Sequence, residues 1–350
     1  MNVGMMSAGF LGATGRPKSD AKGRRTAIHD ERAHDPLYDS LWRALRWLSP
    51  FLAALSISLV AFSAQAQLTD PMVTDPAVTP PDSQRLPEDS GATTRGLALG
   101  TGSRANALGT SALLYNAANL PLARVYHVET IFGYLAGERA YTLGGAVADS
   151  ISNKIAAGLY SRRLFGGGSR PYDGWETRLS LGMPISDAIG IGVSGRYFKL
   201  ERSSRSSNFV TRKGFTMDVS VRVTPMDGLN IAALGYNLLD RHTSLAPTLL
   251  GGSVAYSFSD RISLGADFLA DITTFDHVTY LAGGGVELLI SDSVPVRVGY
   301  RHDTGRGIGR LTGSIGYVDQ SFGIDLAFSQ HVVGNEDGTQ LLLSVRYQVQ

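Results

Sequence analysis

The sequence contains no cysteine. A chain without cysteine forms no disulfide, supplies no thiolate ligand to a metal and carries no lipoprotein-type acyl group. The histidines beyond residue 66 are scattered, and none of them forms a pair at the spacing of a metal site. No G-x-S-x-G nucleophile elbow occurs, and the glycine-rich residues 100–105 lack the strand and helix of a dinucleotide site. The sequence therefore predicts a protein that is not an enzyme and that uses no metal and no cofactor.

A surplus of charge of one sign and a long apolar run are also missing. The 32 basic and 31 acidic residues give a formal net charge of +1, so there is no basic surplus for binding nucleic acid. The main apolar run, residues 51–62, is shorter than the about 20 residues that a membrane-spanning helix needs. Transmembrane β-barrels share this average composition, because their lipid-facing and lumen-facing residues alternate and cancel.

Residues 1–66 have the three parts of a secretory signal peptide. Arg43 and Arg46 precede the apolar run, and the small-x-small pattern Ala-Gln-Ala follows it at residues 64–66, so we predict cleavage after Ala66. An inner-membrane anchor is the alternative, which the short run disfavours. The region before the run is long for a signal peptide, and one hypothesis is that translation starts downstream of Met1. Residues 67–94 contain five prolines among Thr, Asp and Ser, which predicts a flexible periplasmic linker.

Apolar and polar residues alternate from residue 125 onward. Residues 215–224 illustrate the pattern, because successive side chains of a strand point to opposite faces. One face of this run is apolar and the other polar: Phe215, Met217, Val219, Val221 and Val223 alternate with Thr216, Asp218, Ser220, Arg222 and Thr224.

We find fourteen such runs, at residues 125–135, 140–148, 155–162, 175–183, 189–200, 214–224, 229–238, 248–258, 262–271, 278–289, 294–301, 310–317, 322–331 and 339–349. Most are close to the about 9–11 residues that a tilted strand needs to cross a bilayer. We predict an all-β fold, in which residues 125–350 form a 14-stranded antiparallel transmembrane β-barrel of a Gram-negative outer membrane. A soluble sandwich is the alternative, but it would rarely give so many successive hairpins of uniform length.

The predicted connections differ between the two rims of this barrel. Turns after even-numbered strands are short, as at residues 184–187 and 225–228, and loops after odd-numbered strands are longer, as at 163–174, 201–213 and 239–247. Outer-membrane barrels have short periplasmic turns and long extracellular loops. Arginines and lysines in the long loops are candidates for contact with lipopolysaccharide phosphates, although a solvated loop face is the commoner explanation.

The predicted lumenal face carries seven basic and seven acidic residues. A strongly ion-selective pore would show an excess of one sign. The balance fits either ion pairs that brace the lumen or charges that water solvates in an open channel. The charges that we single out are Arg178, Arg196, Asp218, Arg222, Asp267, Glu287, Arg297 and Asp325. Glycines on the same face leave room for a plug or a ligand; they are Gly182, Gly190, Gly192, Gly265, Gly283, Gly285 and Gly299.

Residues 95–124 fit neither a clean helix nor a clean strand. Small residues dominate the segment, apolar residues recur irregularly, and Pro121 lies near its end. Because the segment directly precedes the first strand, we predict that it fills the lumen as a hatch. Its leucines either line an apolar path beside the hatch or, as we favour, simply pack the hatch against the wall. These leucines are Leu97, Leu99, Leu108, Leu113 and Leu114.

Residues 102–120 resemble the amino-terminal signature of the FadL-type long-chain fatty acid transporters and the PorV/PorQ-type barrels. That signature has a small-Arg-Ala step, here Ser-Arg-Ala at residues 103–105, and then Asn-Pro-Ala-x-Leu. The second step is Asn-Ala-Ala-Asn-Leu at residues 116–120, with Ala117 in place of the usual proline. Asn-Leu-Leu-Asp at residues 237–240 also resembles a strand end common in these barrels. The residues that match the hatch motif are Arg104, Asn116, Ala118 and Leu120.

The resemblance implies an outer-membrane barrel with an amino-terminal hatch, and it leaves two functions open. In the transporter branch, a hydrophobic, fatty-acid-like molecule passes the hatch on its way into the cell. In the PorV-like branch, the barrel assists secretion or surface attachment of proteins and carries no small-molecule flux. The implied partners are outer-membrane lipids and lipopolysaccharide, together with either a hydrophobic small molecule or secretion components. A general porin is a third hypothesis, which a hatch disfavours because it would suppress a large steady conductance.

Overall fold

The computed structural model describes residues 92–137, 139–166, 172–203, 209–239, 245–334 and 338–349. The predicted signal peptide at residues 1–66 and most of the predicted linker at residues 67–94 lie outside this range. Four short helices are described, and none of them is long and apolar enough to cross a membrane.

Fourteen antiparallel strands form a closed barrel in sequential order, with β1 hydrogen-bonded to β14. This confirms the predicted fold class and strand count. The strands are β1 Tyr126–Leu135, β2 Ala140–Asp149, β3 Ala156–Gly166, β4 Tyr172–Pro184, β5 Ile189–Ser203, β6 Phe209–Met226, β7 Leu229–Tyr236, β8 Leu249–Ser259, β9 Ile262–Asp271, β10 Thr279–Leu289, β11 Pro295–Asp303, β12 Ile308–Val318, β13 Phe322–Val333 and β14 Thr339–Val349.

Burial along the strands is the reverse of that in a soluble protein. Large apolar side chains on the outer face are exposed, for example Phe132, Leu179 and Ile315, whereas charged side chains on the inner face, such as Glu129 and Asp325, are buried. The two classes alternate with the period of a strand. An outer wall of this kind is suited to apolar surroundings, because in water it would expose a continuous hydrophobic surface.

Strands β4, β5 and β6 are longer than the sequence predicts, with 13, 15 and 18 residues. The loops expected at residues 163–174 and 201–213 are largely absorbed into these strands. The β5–β6 ladder continues from Leu200 opposite Arg212 to Ser203 opposite Phe209. Most of these residues are polar, so apolar alternation gives no signal there, although backbone pairing needs none.

Strand β7 is short and ends at Tyr236, while β6 continues on that side. The β6–β7 ladder stops where Val219 lies opposite Gly235. The chain leaves the wall at Asn237, whose φ of +53° is a left-handed conformation that asparagine tolerates better than most residues. The following loop contributes Leu245 and Ala246 to an apolar cluster with inward-facing residues of β1, β2, β3 and β5. Leu245 and Ala246 therefore pack over the lumen at the long-loop rim.

Residues 92–124, which we call the lumenal segment, lie within the ring of strands. They contain helix α1 (Thr94–Ala98), a 3₁₀ helix (Arg104–Asn106), helix α2 (Thr110–Tyr115) and a second 3₁₀ helix (Ala117–Leu122). The segment contacts strands on every side of the barrel, including β1, β5, β9 and β13. Helix α1 starts at Thr94, one residue before the predicted boundary at residue 95. Thr93 caps α1 by accepting a hydrogen bond from the Gly96 nitrogen, and the Thr94 hydroxyl lies 2.9 Å from that of Ser344 on β14.

Candidate functional site

Glycines in the wall let the backbone of the lumenal segment approach directly. A Cβ added at Gly192 would overlap the backbone of Ala117 and Ala118, and one at Gly265 would overlap the carbonyl group of Gly102. All seven glycines singled out from the sequence have backbone atoms of the segment as close neighbours: Gly182, Gly190, Gly192, Gly265, Gly283, Gly285 and Gly299. The room that they leave is occupied by the segment.

A side chain at one of these positions is expected to disturb the segment. We expect Gly192→Val to destabilise the folded barrel by about 1–3 kcal/mol, because the segment or the wall must move to admit the new methyl groups. The measurement is urea unfolding of the refolded protein in lipid vesicles. Gly145→Val is the matched control, since Gly145 faces outward and the nearest atom to an added Cβ is 4.0 Å away. Equal loss of stability in both variants would show that the close approach at Gly192 is unimportant.

Arg104 connects the lumenal segment to the wall. Its Nη1 lies 2.7 Å from Asp267 Oδ2 on β9, and its Nε donates a hydrogen bond to the Tyr236 hydroxyl at 3.1 Å. The guanidinium also lies 5.4 Å from the ring centre of Tyr115 and 5.5 Å from that of Tyr236, within cation–π range. Burial by itself lowers the pKa of Arg104, but Tyr236 and Asp267 outweigh it and raise the pKa above its usual value. The side chain therefore stays charged and paired.

The other motif residues hold the segment in shape. Asn116 accepts a hydrogen bond from the Ala118 nitrogen and donates one to the Arg104 carbonyl oxygen, and Asn119 also donates to that oxygen. The Ala118 nitrogen donates to Ser220 on β6, and Leu120 is buried in the main apolar cluster. Asn119, which the motif leaves unspecified, is fully buried and also binds the Ala105 carbonyl oxygen. Only its position between motif residues hints at this role.

A second set of charges connects the segment to β10 and extends along β11, β13 and β14. Arg95 donates to Glu287 at 2.9 Å, and Glu287 also accepts from Arg297. Arg297 and Arg346 both contact Asp325, at 2.8 and 3.0 Å. These ion pairs match the bracing alternative for the lumenal charges. Arg95 was not among the charged residues singled out from the sequence, because it lies outside the predicted strands.

A third set of charges lies on the inner face of β3, β4 and β5. Glu176 accepts from Arg162 and Arg196, each at 2.8 Å, and lies 3.6 Å from Arg178. Arg178 also contacts Asp218 on β6 at 2.7 Å. Three guanidinium groups therefore share two carboxylates.

Arg222 differs from the other lumenal charges. It donates to the Thr224 hydroxyl at 2.5 Å, and among the described residues it has no ion pair. It lies near the end of β6 that leads to the short turn at residues 227–228.

A cavity of about 220 Å³ lies between the lumenal segment and the long loops. Its lining includes Arg104 and Tyr115 from the segment, Arg162 and Glu176 from the wall, and Phe275 from the β9–β10 loop. The cavity thus combines guanidinium groups with aromatic and aliphatic side chains. Among the described residues, no group of three His, Asp or Glu side chains is placed to hold a metal ion.

The five leucines of the segment have different surroundings. Leu97, Leu99 and Leu113 are buried, and only Leu114 lines the cavity. Leu108 is 45% exposed and lines no part of it. Most of these leucines occupy packing positions, which is the alternative that the sequence favoured.

Asn237 fixes the start of the loop that packs over the cavity. Its nitrogen donates to Asp218, its side-chain amide donates to the Pro247 carbonyl oxygen at 2.7 Å, and its Oδ1 accepts from Arg196 at 3.0 Å. In the sequence, Asn237 was noted only as the first residue of an Asn-Leu-Leu-Asp motif that resembles a strand end common in such barrels. Its role depends on Arg196 and Pro247, which no local pattern connects to it.

No protein-family model and no curated protein matches this chain. Solved structures do match its fold. The Ralstonia pickettii toluene transporter TbuX aligns with a TM-score of 0.57 and 12% identity, over 75% of this chain and 99% of its own. The chain has a FadL-type fold. The monoaromatic hydrocarbon channel CymD (TM-score 0.56, 9% identity, 73% and 98% coverage) and a Pseudomonas aeruginosa FadL homologue (0.52, 12%, 73% and 98%) share this FadL-type fold.

Proposed function

We propose that this protein is a Gram-negative outer-membrane barrel that takes up hydrophobic small molecules, with the lumenal segment as its hatch. The observation that carries the proposal is the cavity that lies directly on the segment inside a FadL-type barrel. A ligand entering past the long loops would meet loop residues such as Leu245 and Phe275 before the segment. Concave sites that combine aromatic and aliphatic side chains with placed polar groups are typical of small-molecule binding.

Two further observations support this proposal. The exposed apolar outer wall fits a bilayer, in which outer-membrane lipids and lipopolysaccharide are the expected neighbours. The similar structures named above are described as a toluene transporter, a monoaromatic hydrocarbon channel and a FadL homologue. No comparison favours the alternative of a PorV-like barrel that assists secretion.

Uptake measurements test the proposal. We expect the chain, expressed in a Gram-negative host that lacks its own transporter, to accelerate uptake of labelled toluene or of a labelled fatty acid. The control is the same host expressing the Arg104→Ala/Asp267→Ala variant, in which the contact between the segment and β9 is removed. Uptake no faster than in a host without the chain, together with co-purification of secretion components, would contradict the proposal and favour the secretion-associated alternative.

A further inference from the structure

The size of the cavity limits what it can hold. Its volume is about 220 Å³. An apolar cavity of about 150 Å³ accommodates benzene, whereas pockets for drug-sized ligands measure about 300–1,000 Å³. A single ring with one small substituent therefore matches the available space.

Part of the lining is suited to such a ring. Tyr115, Tyr236 and Phe275 contribute aromatic side chains, and Leu114 and Leu245 contribute aliphatic ones. Aromatic rings attract one another in offset or edge-to-face arrangements, which neighbouring tyrosine and phenylalanine rings can offer to a ligand. These residues come from the lumenal segment, from β7 and from two loops, so the ring site exists only in the assembled barrel.

The rest of the lining carries charged side chains. Among the described lining residues, six are arginines and three are carboxylates: Arg104, Arg162, Arg178, Arg196, Arg301 and Arg306 against Glu176, Asp271 and Asp303. Asp267 and Asp218 lie behind two of these arginines as ion-pair partners. Arg301, Asp303 and Arg306 also take part in further interactions of their own.

The pairing is uneven on β3, β4 and β5, where the guanidinium groups of Arg162, Arg178 and Arg196 share the carboxylates of Glu176 and Asp218. A neutral ligand would leave this local excess of positive charge uncompensated in a partly desolvated site. The Arg162 side chain is only 5% exposed, and its Nη1 has no hydrogen-bond partner among the described residues. A buried donor without a partner is costly, and a guanidinium group matches the two oxygens of a carboxylate. Arg162 is thus the lining residue best placed to gain from an anionic ligand.

We propose that this cavity binds a small single-ring organic carboxylate, with the ring against Tyr115, Tyr236 and Phe275 and the carboxylate at Arg162. This inference rests on the proposed uptake function and specifies the ligand class of the same site. The negative charge compensates the arginine excess, and the ring fills the aromatic part of the lining.

Benzoate and benzamide are the probes that test this, because they have the same ring and nearly the same shape but differ in charge at neutral pH. We expect the full-length protein in detergent to bind benzoate at least tenfold more tightly than benzamide, measured by isothermal titration calorimetry. Arg162→Gln should abolish this preference. Arg162→Lys should retain part of it, because the charge remains.

Arg163→Gln is the matched control. Arg163 is the next residue, but it faces outward, is 64% exposed and pairs with Asp173, so its replacement should leave both affinities unchanged. Circular dichroism verifies that each variant is folded. Equal affinity for benzoate and benzamide in the parent protein would overturn the carboxylate assignment and leave the uptake function standing. A preference for benzoate that survives in Arg162→Gln would also overturn the assignment of the carboxylate to Arg162. If neither probe binds, the carboxylate assignment fails as well, and the uptake measurement decides separately whether the proposed function stands.

Discussion

Deleting residues 67–124 is expected to raise the single-channel conductance of the barrel by roughly an order of magnitude or more. The deletion leaves every strand intact, because β1 begins at Tyr126. A closed ring of fourteen strands is wide enough to enclose water once the lumenal segment no longer fills it. The measurement is conductance across a planar lipid bilayer, with the full-length protein recorded under the same conditions.

A second variant tests the same expectation without removing any residue. The hydroxyl groups of Thr94 and Ser344 are 2.9 Å apart, and the chain has no cysteine of its own. Thr94→Cys combined with Ser344→Cys therefore allows a single disulfide between the segment and β14. We expect the oxidised form to conduct no more than the parent protein. Unchanged conductance after the deletion would show that residues 92–124 do not obstruct the lumen, and the hatch would have to be abandoned.

Arg104→Ala is expected to destabilise the folded barrel by about 3–5 kcal/mol, the usual cost of leaving one member of a buried ion pair alone. Asp267 is only 1% exposed and Arg104 11% exposed, so water cannot replace the lost partner. The double variant Arg104→Gln/Asp267→Asn should recover much of the loss, because it leaves no buried charge. Urea unfolding in lipid vesicles measures the free energy of unfolding.

The control for this pair is Arg163→Ala. Arg163 and Asp173 are joined by the same 2.7 Å distance, but both are largely exposed, so this substitution should change stability little. If the Arg104 and Arg163 variants lost equal stability, burial would not be the source of the effect. If the double variant were as unstable as Arg104→Ala, the cost would come from lost packing against Tyr115 and Tyr236 and not from the unpaired charge.

The barrel could be predicted from the sequence because the alternation of apolar and polar residues within each strand identifies its outward and inward faces. Alternation within residues 215–224 needs no information from elsewhere in the chain. It fails where apolar and polar residues do not alternate, as at the paired residues 201–203 and 209–211, and there the structure extends the strands beyond the prediction. The alternation pattern also does not predict that β7 ends at Tyr236 while β6 continues past that point.

The site was predicted only in part. Small residues at 95–124 and the inward glycines led to a filled lumen, and the glycine contacts agree with that interpretation. The ion pair between Arg104 and Asp267 could not be predicted from the sequence. The two residues are 163 positions apart, and only the folded barrel brings them together. The prediction also failed for Leu108, because its apolar side chain suggested a packing or lining position and the structure leaves it exposed.

The closure of the ring has a consequence for the order of assembly. Tyr126 at the start of β1 lies opposite Val349 at the end of β14. The barrel therefore closes only when the two strands that are farthest apart in the sequence pair with each other. Residues 92–124 are by then surrounded by glycines of β4, β5, β9, β10 and β11. If residues 92–124 entered the lumen after the barrel had closed, all of these contacts would have to form inside a confined space. We therefore expect the strands to gather around the segment first, with the slow, long-range β1–β14 pairing as the final step.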